Sequence, residues 1–100
     1  MNNTKTNYDE AIDTIRTIYY IKNQKYGDSF DRTIDQYGPI AGLTRISDKF
    51  HRMENLILTS DEGTDDESLH DTLLDMANYC LMFHVALSRK EGDTSVDRVN

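Results

Sequence analysis

The chain has 100 residues, of which 37% are hydrophobic, and a formal net charge of −7. This length allows one domain with a modest core, and the acidic charge argues against binding of duplex DNA, for which a basic surface supplies most of the affinity. No apolar run is long enough to span a membrane, and we expect no signal peptide at the polar N-terminus. The single cysteine excludes an internal disulfide and favours a reducing cytoplasm.

Apolar residues at helical spacing predict an all-α fold, a small bundle of three long helices and one short helix. We expect a flexible N-terminus over residues 1–6, one helical domain over 7–90 and a C-terminal tail over 91–100. The first helix is predicted to extend to Asn23 or Lys25, and Asn7 with Glu10 resembles a capping box at its start. Its apolar stripe consists of Tyr8, Ile12, Ile15, Ile18 and Tyr19.

Gly27 interrupts the first helical pattern, and a short second helix is predicted over residues 30–37. Gly38 and Pro39 end it and open a third helix, because proline suits the first helical turn. The third helix has apolar residues at steps of three and four, namely Ile40, Leu43, Ile46, Phe50, Met53 and Ile57. Residues 59–66 are expected to form an acidic loop.

A second capping box, Thr64 with Glu67, predicts the start of a fourth helix that ends near Arg89 and Lys90. Cys80 falls among apolar positions of this helix, so we interpret it as a core residue rather than a reactive thiol. The main apolar face of the fourth helix comprises Leu69, Leu73, Met76, Ala77, Cys80 and Leu87.

Three acids, Glu67, Asp71 and Asp75, recur four residues apart along the fourth helix, and Asn78 continues their line. Leucines share this sector, and carboxylates beside apolar surface are costly unless they meet cations, donors or a metal. We expect them to face a polar line on the third helix, with Arg52 making a bidentate bond to one carboxylate. That line comprises Arg45, Asp48, Lys49, Arg52 and Asn55.

Two interpretations of these facing lines stay open. In one, they form a purely structural ion-pair network between two helices. In the other, the network is incomplete and a ligand completes it. Carboxylates at this spacing also suit Mg²⁺, which prefers oxygen ligands and shares its waters with phosphates. The predicted metal ligands are Glu67, Asp71, Asp75 and Asp48.

Residues 22–30 combine cations, a flexible glycine, a hydroxyl group and two aromatic rings. Backbone N–H groups near Gly27 are suited to an anion, and Tyr26 or Phe30 is suited to stacking on a base. The alternative is a simple turn between helices whose aromatic side chains close the end of the bundle.

Three blocks of residues, in a fixed order, carry a family resemblance. They are Lys22-Asn23 with Tyr26-Gly27-Asp28-Ser29-Phe30; Asp48-Lys49 with Arg52 and Asn55-Leu56; and Asp66-Glu67-Ser68 with Asp71-Thr72-Leu73, Asp75 and Ala77-Asn78-Tyr79. Together they resemble the nucleotide modification associated domain, type 1, a small domain found largely in phages and mobile elements. The resemblance implies a mostly helical fold and an association with nucleotides or modified DNA bases, without an established reaction.

We therefore expect a phage-encoded nucleotide-binding domain that acts in the bacterial cytoplasm. Lys22, Lys49 and Arg52 are predicted to meet phosphate, and Tyr26 or Phe30 the base. The full predicted nucleotide-binding set is Lys22, Tyr26, Ser29, Phe30, Lys49, Arg52 and Asn78. A lean core also predicts a homodimer or larger assembly, because self-association stabilises the folded chain.

Two alternative functions stay open. The fourth helix looks somewhat like the metal-binding helices of the all-α nucleoside triphosphate pyrophosphohydrolases (the MazG-like group), which implies Mg²⁺-dependent cleavage. A second acid pair would then come from Glu10 and Asp13, or from Asp48 and Glu54. The other alternative is a phage binder without turnover, which sequesters a nucleotide immune signal or blocks a host protein.

Overall fold

The computed structural model describes residues 5–59 and 67–90 and has four α-helices, with no strand in those two segments. Helix α1 covers Asn7–Tyr26, α2 covers Ser29–Tyr37, α3 covers Pro39–Thr59 and α4 covers Glu67–Lys90. The prediction of three long helices and one short helix is confirmed. The capping box at Thr64 and the C-terminal tail lie outside the described residues, as do most of the acidic loop and of the N-terminal segment.

Helix α1 is capped by Thr6 rather than by Asn7. The Asp9 N–H donates to Thr6 Oγ1 at 3.1 Å, and the Thr6 N–H donates to the Asp9 carboxylate at 3.0 Å. The capping box predicted on Asn7 and Glu10 is therefore wrong by one position. Capping by Thr6 starts the helix one residue earlier than a cap at Asn7 would. It also holds the Asp9 carboxylate near the N-terminal N–H groups, where negative charge is favourable.

Two glycines separate the first three helices. Gly27 has a φ of 61° and Gly38 a φ of 84°, values that side chains with a Cβ rarely adopt. Their N–H groups donate back to Asn23 and Ile34, at 2.8 and 2.7 Å, and so end α1 and α2. These sharp turns fold α2 back towards α3 and α4.

Helix α4 is the centre of the packing, because α1, α2 and α3 all pack against it. Helices α3 and α4 run antiparallel: Gly42 lies opposite Phe83, and Arg52 lies opposite Thr72. The approach is close at Gly42, where an added Cβ would lie 2.6 Å from the Phe83 ring. Among the described residues, the buried hydrophobic side chains are Ile15, Ile34, Leu69 and Ala86.

The apolar stripes predicted from periodicity are only partly covered. Tyr8 is 74% exposed, because α1 contacts α4 through its middle and end rather than through its first turn. On α3, the residues Ile40, Leu43, Phe50 and Ile57 are exposed, since α4 and α2 pack against a different part of that helix.

The prediction that Cys80 is a core residue is wrong. The Cys80 thiol is exposed on the outer side of α4. The surrounding sequence is apolar, but the other described helices cover only part of the apolar surface of α4, and Cys80 lies in the uncovered part. In the part of the chain that the structure describes, no helix has the length and apolar character needed to cross a membrane.

Candidate functional site

Two lysine side chains from different helices meet one carboxylate of α4. Lys22 Nζ on α1 lies 3.5 Å from Asp75 Oδ1, and Lys49 Nζ on α3 lies 3.5 Å from Asp75 Oδ2. All three side chains are partly buried. Three helices thus contribute one charged group each, and we refer to Lys22, Lys49, Asp75 and the adjacent Tyr79 as the lysine cluster.

The Tyr79 ring lies beside both ammonium groups. Its centroid is 5.8 Å from Lys22 Nζ and 6.0 Å from Lys49 Nζ, within the range of cation–π attraction. Phe30 of α2 packs on the same ring with centroids 5.6 Å apart and planes inclined by 50°. Because Tyr79 follows Asp75 by four residues on α4, both side chains face the same side of that helix.

A cavity of about 400 Å³ adjoins the lysine cluster between α1, α2 and α4. Five residues of the predicted nucleotide-binding set line it, namely Lys22, Tyr26, Ser29, Phe30 and Asn78. Arg45 of α3 also lines the cavity and adds a third cation to its wall. Asn78 is only 3% exposed and contributes to the wall of this cavity.

Lys49 and Arg52 belong to the predicted set but do not line the cavity. Lys49 contacts Asp75 and the Tyr79 ring, and Tyr79 itself lines the cavity. Arg52 Nε instead donates to Thr72 Oγ1 at 3.2 Å, and Thr72 Oγ1 donates to the Ser68 carbonyl at 2.7 Å. Arg52 does not make the expected bidentate bond, because the residue opposite it on α4 is buried Thr72, whereas Asp71 is exposed.

A second, apolar cavity of about 330 Å³ lies on the other side of Phe30 and Asn78. Aliphatic residues of α1 and α4 and the rings of Tyr19, Tyr20 and Phe30 form much of its wall. The ion pair of Arg89 with Asp31 also lines it. The hydrogen bond from Arg89 to Asp31 raises the pKa of Arg89 above its ordinary value. Phe30 and Asn78 are among the six residues that line both cavities and so separate the apolar cavity from the polar one.

The family model of nucleotide modification associated domain 1 matches residues 22–87. The match covers well over half of the chain. The chain belongs to this family. The resemblance seen in the three sequence blocks is therefore confirmed, and the matched segment contains the whole lysine cluster. Comparisons with curated proteins and with solved structures gave no match.

Tyr79 and Arg45 were not in the predicted nucleotide-binding set. Tyr79 stands in the third block that resembles nucleotide modification associated domain 1, four residues after Asp75, and this spacing was the signal for its place. Arg45 was noted only as part of the polar line on α3. Its position at the cavity depends on how α3 crosses α2 and α4, which no local pattern specifies.

The predicted metal ligands do not gather in one place. Glu67, Asp71 and Asp48 are exposed, and both oxygens of Asp75 face ammonium groups. Across residues 5–59 and 67–90, no group of three His, Cys, Asp or Glu side chains lies close enough to hold a metal ion. In this arrangement Asp75 meets two ammonium groups rather than other carboxylates. Magnesium binding is not tested by this geometry and stays a prediction.

Of the acids considered as a second metal-binding pair, Asp13 is already engaged. Lys5 Nζ lies 2.5 Å from one of its oxygens and Arg16 lies 2.9 Å from the other. The hydrogen bond from Lys5 is the main cause of a lowered pKa of Asp13. Glu10, Glu54 and Asp48 are exposed.

Proposed function

We propose that this chain binds a nucleotide in the polar cavity, with the phosphate near Lys22 and the base against the aromatic wall. The observation that carries the proposal is the convergence of Lys22 and Lys49 on one carboxylate beside an open cavity. Membership of the nucleotide modification associated domain 1 family supports a nucleotide as the ligand. The volume lies within the range of about 300–1,000 Å³ that is typical of small-molecule sites.

The charges around the cavity favour an anion. Lys22, Lys49 and Arg45 bring three positive charges, and Asp75 offsets one of them, within a chain whose net charge is −7. The nitrogen-to-oxygen distances of 3.5 Å are longer than the roughly 2.8 Å of a tight charge-assisted hydrogen bond. Each ammonium group has three donors, so Lys22 keeps donors for phosphate oxygens.

The turn between α1 and α2 supplies further donors. Gly27 permits close approach of a ligand to the backbone. Ser29 is the first residue of α2, and it lines the cavity. The first N–H groups of a helix have no partner within the helix and favour negative charge. Phosphate is therefore best placed between Lys22 and the start of α2.

The aromatic wall suits a nucleobase. Tyr26, Phe30 and Tyr79 each present a ring to the cavity, and stacking of a base on an aromatic side chain contributes about 1–3 kcal/mol. The Asn78 side-chain amide, which lines the cavity, has both a hydrogen-bond donor and an acceptor. Such a pair suits the polar edge of a nucleobase. The proposed contacts thus place the phosphate between Lys22 and the start of α2, and the base against the three aromatic rings and Asn78.

Calorimetric titration with nucleoside mono-, di- and triphosphates, with and without Mg²⁺, tests the proposal. Lys22→Ala is expected to weaken binding about 10- to 100-fold, because a hydrogen bond to a charged group contributes about 1.5–3 kcal/mol. Lys25→Ala is the matched control, since Lys25 is an exposed lysine of the same helix and does not line the cavity. Absence of heat from every nucleotide, or an equal loss in Lys25→Ala, would contradict the proposal.

The same mixtures separate binding from cleavage. Intact nucleotide recovered after incubation supports a binder without turnover. Pyrophosphate release that requires Mg²⁺ and is lost in Asp71→Ala would instead support the pyrophosphohydrolase alternative.

A narrower form of the proposal is a phage protein that sequesters a nucleotide immune signal. An unmodified nucleotide recovered from heat-denatured protein would support that form, whereas a co-purifying host protein would point to blocking.

A further inference from the structure

Helices α3 and α4 each carry apolar residues in alternating steps of three and four, the spacing of helices that pack face to face. On each helix, these residues form two rows. The inner row consists of Ile46 and Met53 on α3, with Leu69, Met76 and Phe83 on α4. The outer row consists of Leu43, Phe50 and Ile57 on α3, with Leu73 and Cys80 on α4.

The inner row is packed within the chain and the outer row is not. The inner residues are buried or half-buried, and they lie where α3 meets α4. The outer residues are exposed: 57% for Leu43, 47% for Phe50 and 44% for Ile57. Leu73 and the thiol of Cys80 are exposed as well. The outer rows therefore have the spacing of helix-packing residues, but no helix in the described residues packs over them.

Both outer rows lie on the same side of the α3–α4 pair. With about 100° per residue, the lysine cluster residues Lys49 and Tyr79 fall on one flank of the inner rows, and the outer rows fall on the other. Helices α1 and α2 cover the flank that carries the lysine cluster. The opposite flank thus carries the exposed outer rows of two antiparallel helices, and we call it the α3–α4 face.

We infer that the α3–α4 face binds a second copy of this chain, forming a two-fold dimer whose centre is a four-helix bundle. The apolar spacing on both helices is that of a bundle with helices on both sides of the seam. Two helices about 30 Å long and about 10 Å apart present a face of roughly 600 Å². This approaches the roughly 800 Å² that each partner buries in a standard stable interface.

The sequence of the outer row suits a copy of itself. On α3 it is centred on Phe50, with aliphatic residues seven positions before and after it, Leu43 and Ile57. A two-fold axis at Phe50 therefore places Leu43 of one copy against Ile57 of the other. No outer-row residue is charged, so the contact brings no like charges together at its centre despite the net charge of −7.

Sedimentation of the full chain over a wide concentration range tests the dimer. The wild-type chain is expected to sediment at twice the mass of one chain. Phe50→Glu is expected to raise the dimer dissociation constant roughly a hundredfold or more, because it places charge at the centre of the interface in both copies. Leu43→Glu, nearer one end of the row, is expected to act in the same direction. Circular dichroism establishes that each variant remains helical.

Tyr37→Glu is the matched control, because Tyr37 is an exposed aromatic residue on α2, outside the α3–α4 face. Labelling of the single cysteine gives an independent readout. Cys80 should react slowly in the dimer and rapidly in Phe50→Glu. A wild-type chain that stays monomeric would overturn the inference, as would a dimer that survives both glutamate variants or dissociates equally in Tyr37→Glu. The nucleotide site lies on the other flank, so these outcomes are independent of nucleotide binding.

Discussion

Gly42 is the residue at which α3 comes closest to α4. A Cβ there would lie 2.6 Å from ring atoms of Phe83, well inside van der Waals contact. A glycine inside a helix costs about 1 kcal/mol relative to alanine, so its presence in α3 needs a compensating reason. The close contact with Phe83 supplies that reason.

Gly42→Ala is expected to lower the free energy of unfolding by about 1 kcal/mol. Overpacking costs about 1–3 kcal/mol, and the better helix propensity of alanine offsets about 1 kcal/mol of it. Denaturant unfolding at fixed protein concentration measures the change. In a Phe83→Ala background, the same substitution should stabilise the chain instead. A stabilising effect in the wild-type background would show that Phe83 moves aside freely.

Arg52 illustrates why single contacts between α3 and α4 were harder to predict than the packing of the two helices. The spacing of polar residues on α3 and α4 places Arg52 on the side of its helix that faces α4. It does not specify the relative shift of the two helices, and that shift decides the partner. The observed shift brings Lys49 to Asp75 and leaves Arg52 with the Thr72 hydroxyl.

The start of α1 depends on a reciprocal pair of hydrogen bonds between Thr6 and Asp9. Thr6→Ala is expected to lower the free energy of unfolding by about 1 kcal/mol, because one N–H group at the N-terminus of the helix loses its acceptor. In a domain of this size such a loss lowers Tm by about 4–8 °C, which thermal unfolding detects.

Thr14→Ala is the control for this change. Thr14 is an exposed residue inside α1, and its hydroxyl donates to the Glu10 carbonyl of the same helix. Alanine has the higher helix propensity, so no loss of stability is expected there. A larger loss in Thr14→Ala than in Thr6→Ala would contradict the assignment of Thr6 as the cap.

The number and positions of the helices could be predicted from the sequence, because each helix has its own periodic apolar residues and recognisable end signals. Gly27, Gly38 and Pro39 mark turns that the structure contains. The covered face of each helix could not be predicted. Periodicity shows that Phe50 and Cys80 belong to apolar rows, but burial of those rows depends on neighbours that no local pattern identifies.

At the scale of the whole molecule, the sequence indicated the family, and the predicted nucleotide-binding set includes five of the twelve residues that line the polar cavity. Residues 22–30 predicted the anion- and base-binding segment, and that segment forms one wall of the cavity. The meeting of Lys22 with Asp75 required contact between α1 and α4, residues far apart in the chain. The complementary polar lines of α3 and α4 predict a partner for the α4 acids on α3 and give no signal for one on α1.

The central claim is that the lysine cluster and the adjoining cavity form a nucleotide site. Titration of ¹⁵N-labelled protein with a nucleoside monophosphate, followed by amide chemical shifts, tests this claim most directly. We expect shifts that saturate at Gly27, Ser29 and Asn78, while amides of the α3–α4 face such as Leu43 and Ile57 stay unchanged. Saturating shifts confined to the α3–α4 face, or no shifts with any nucleotide, would contradict it.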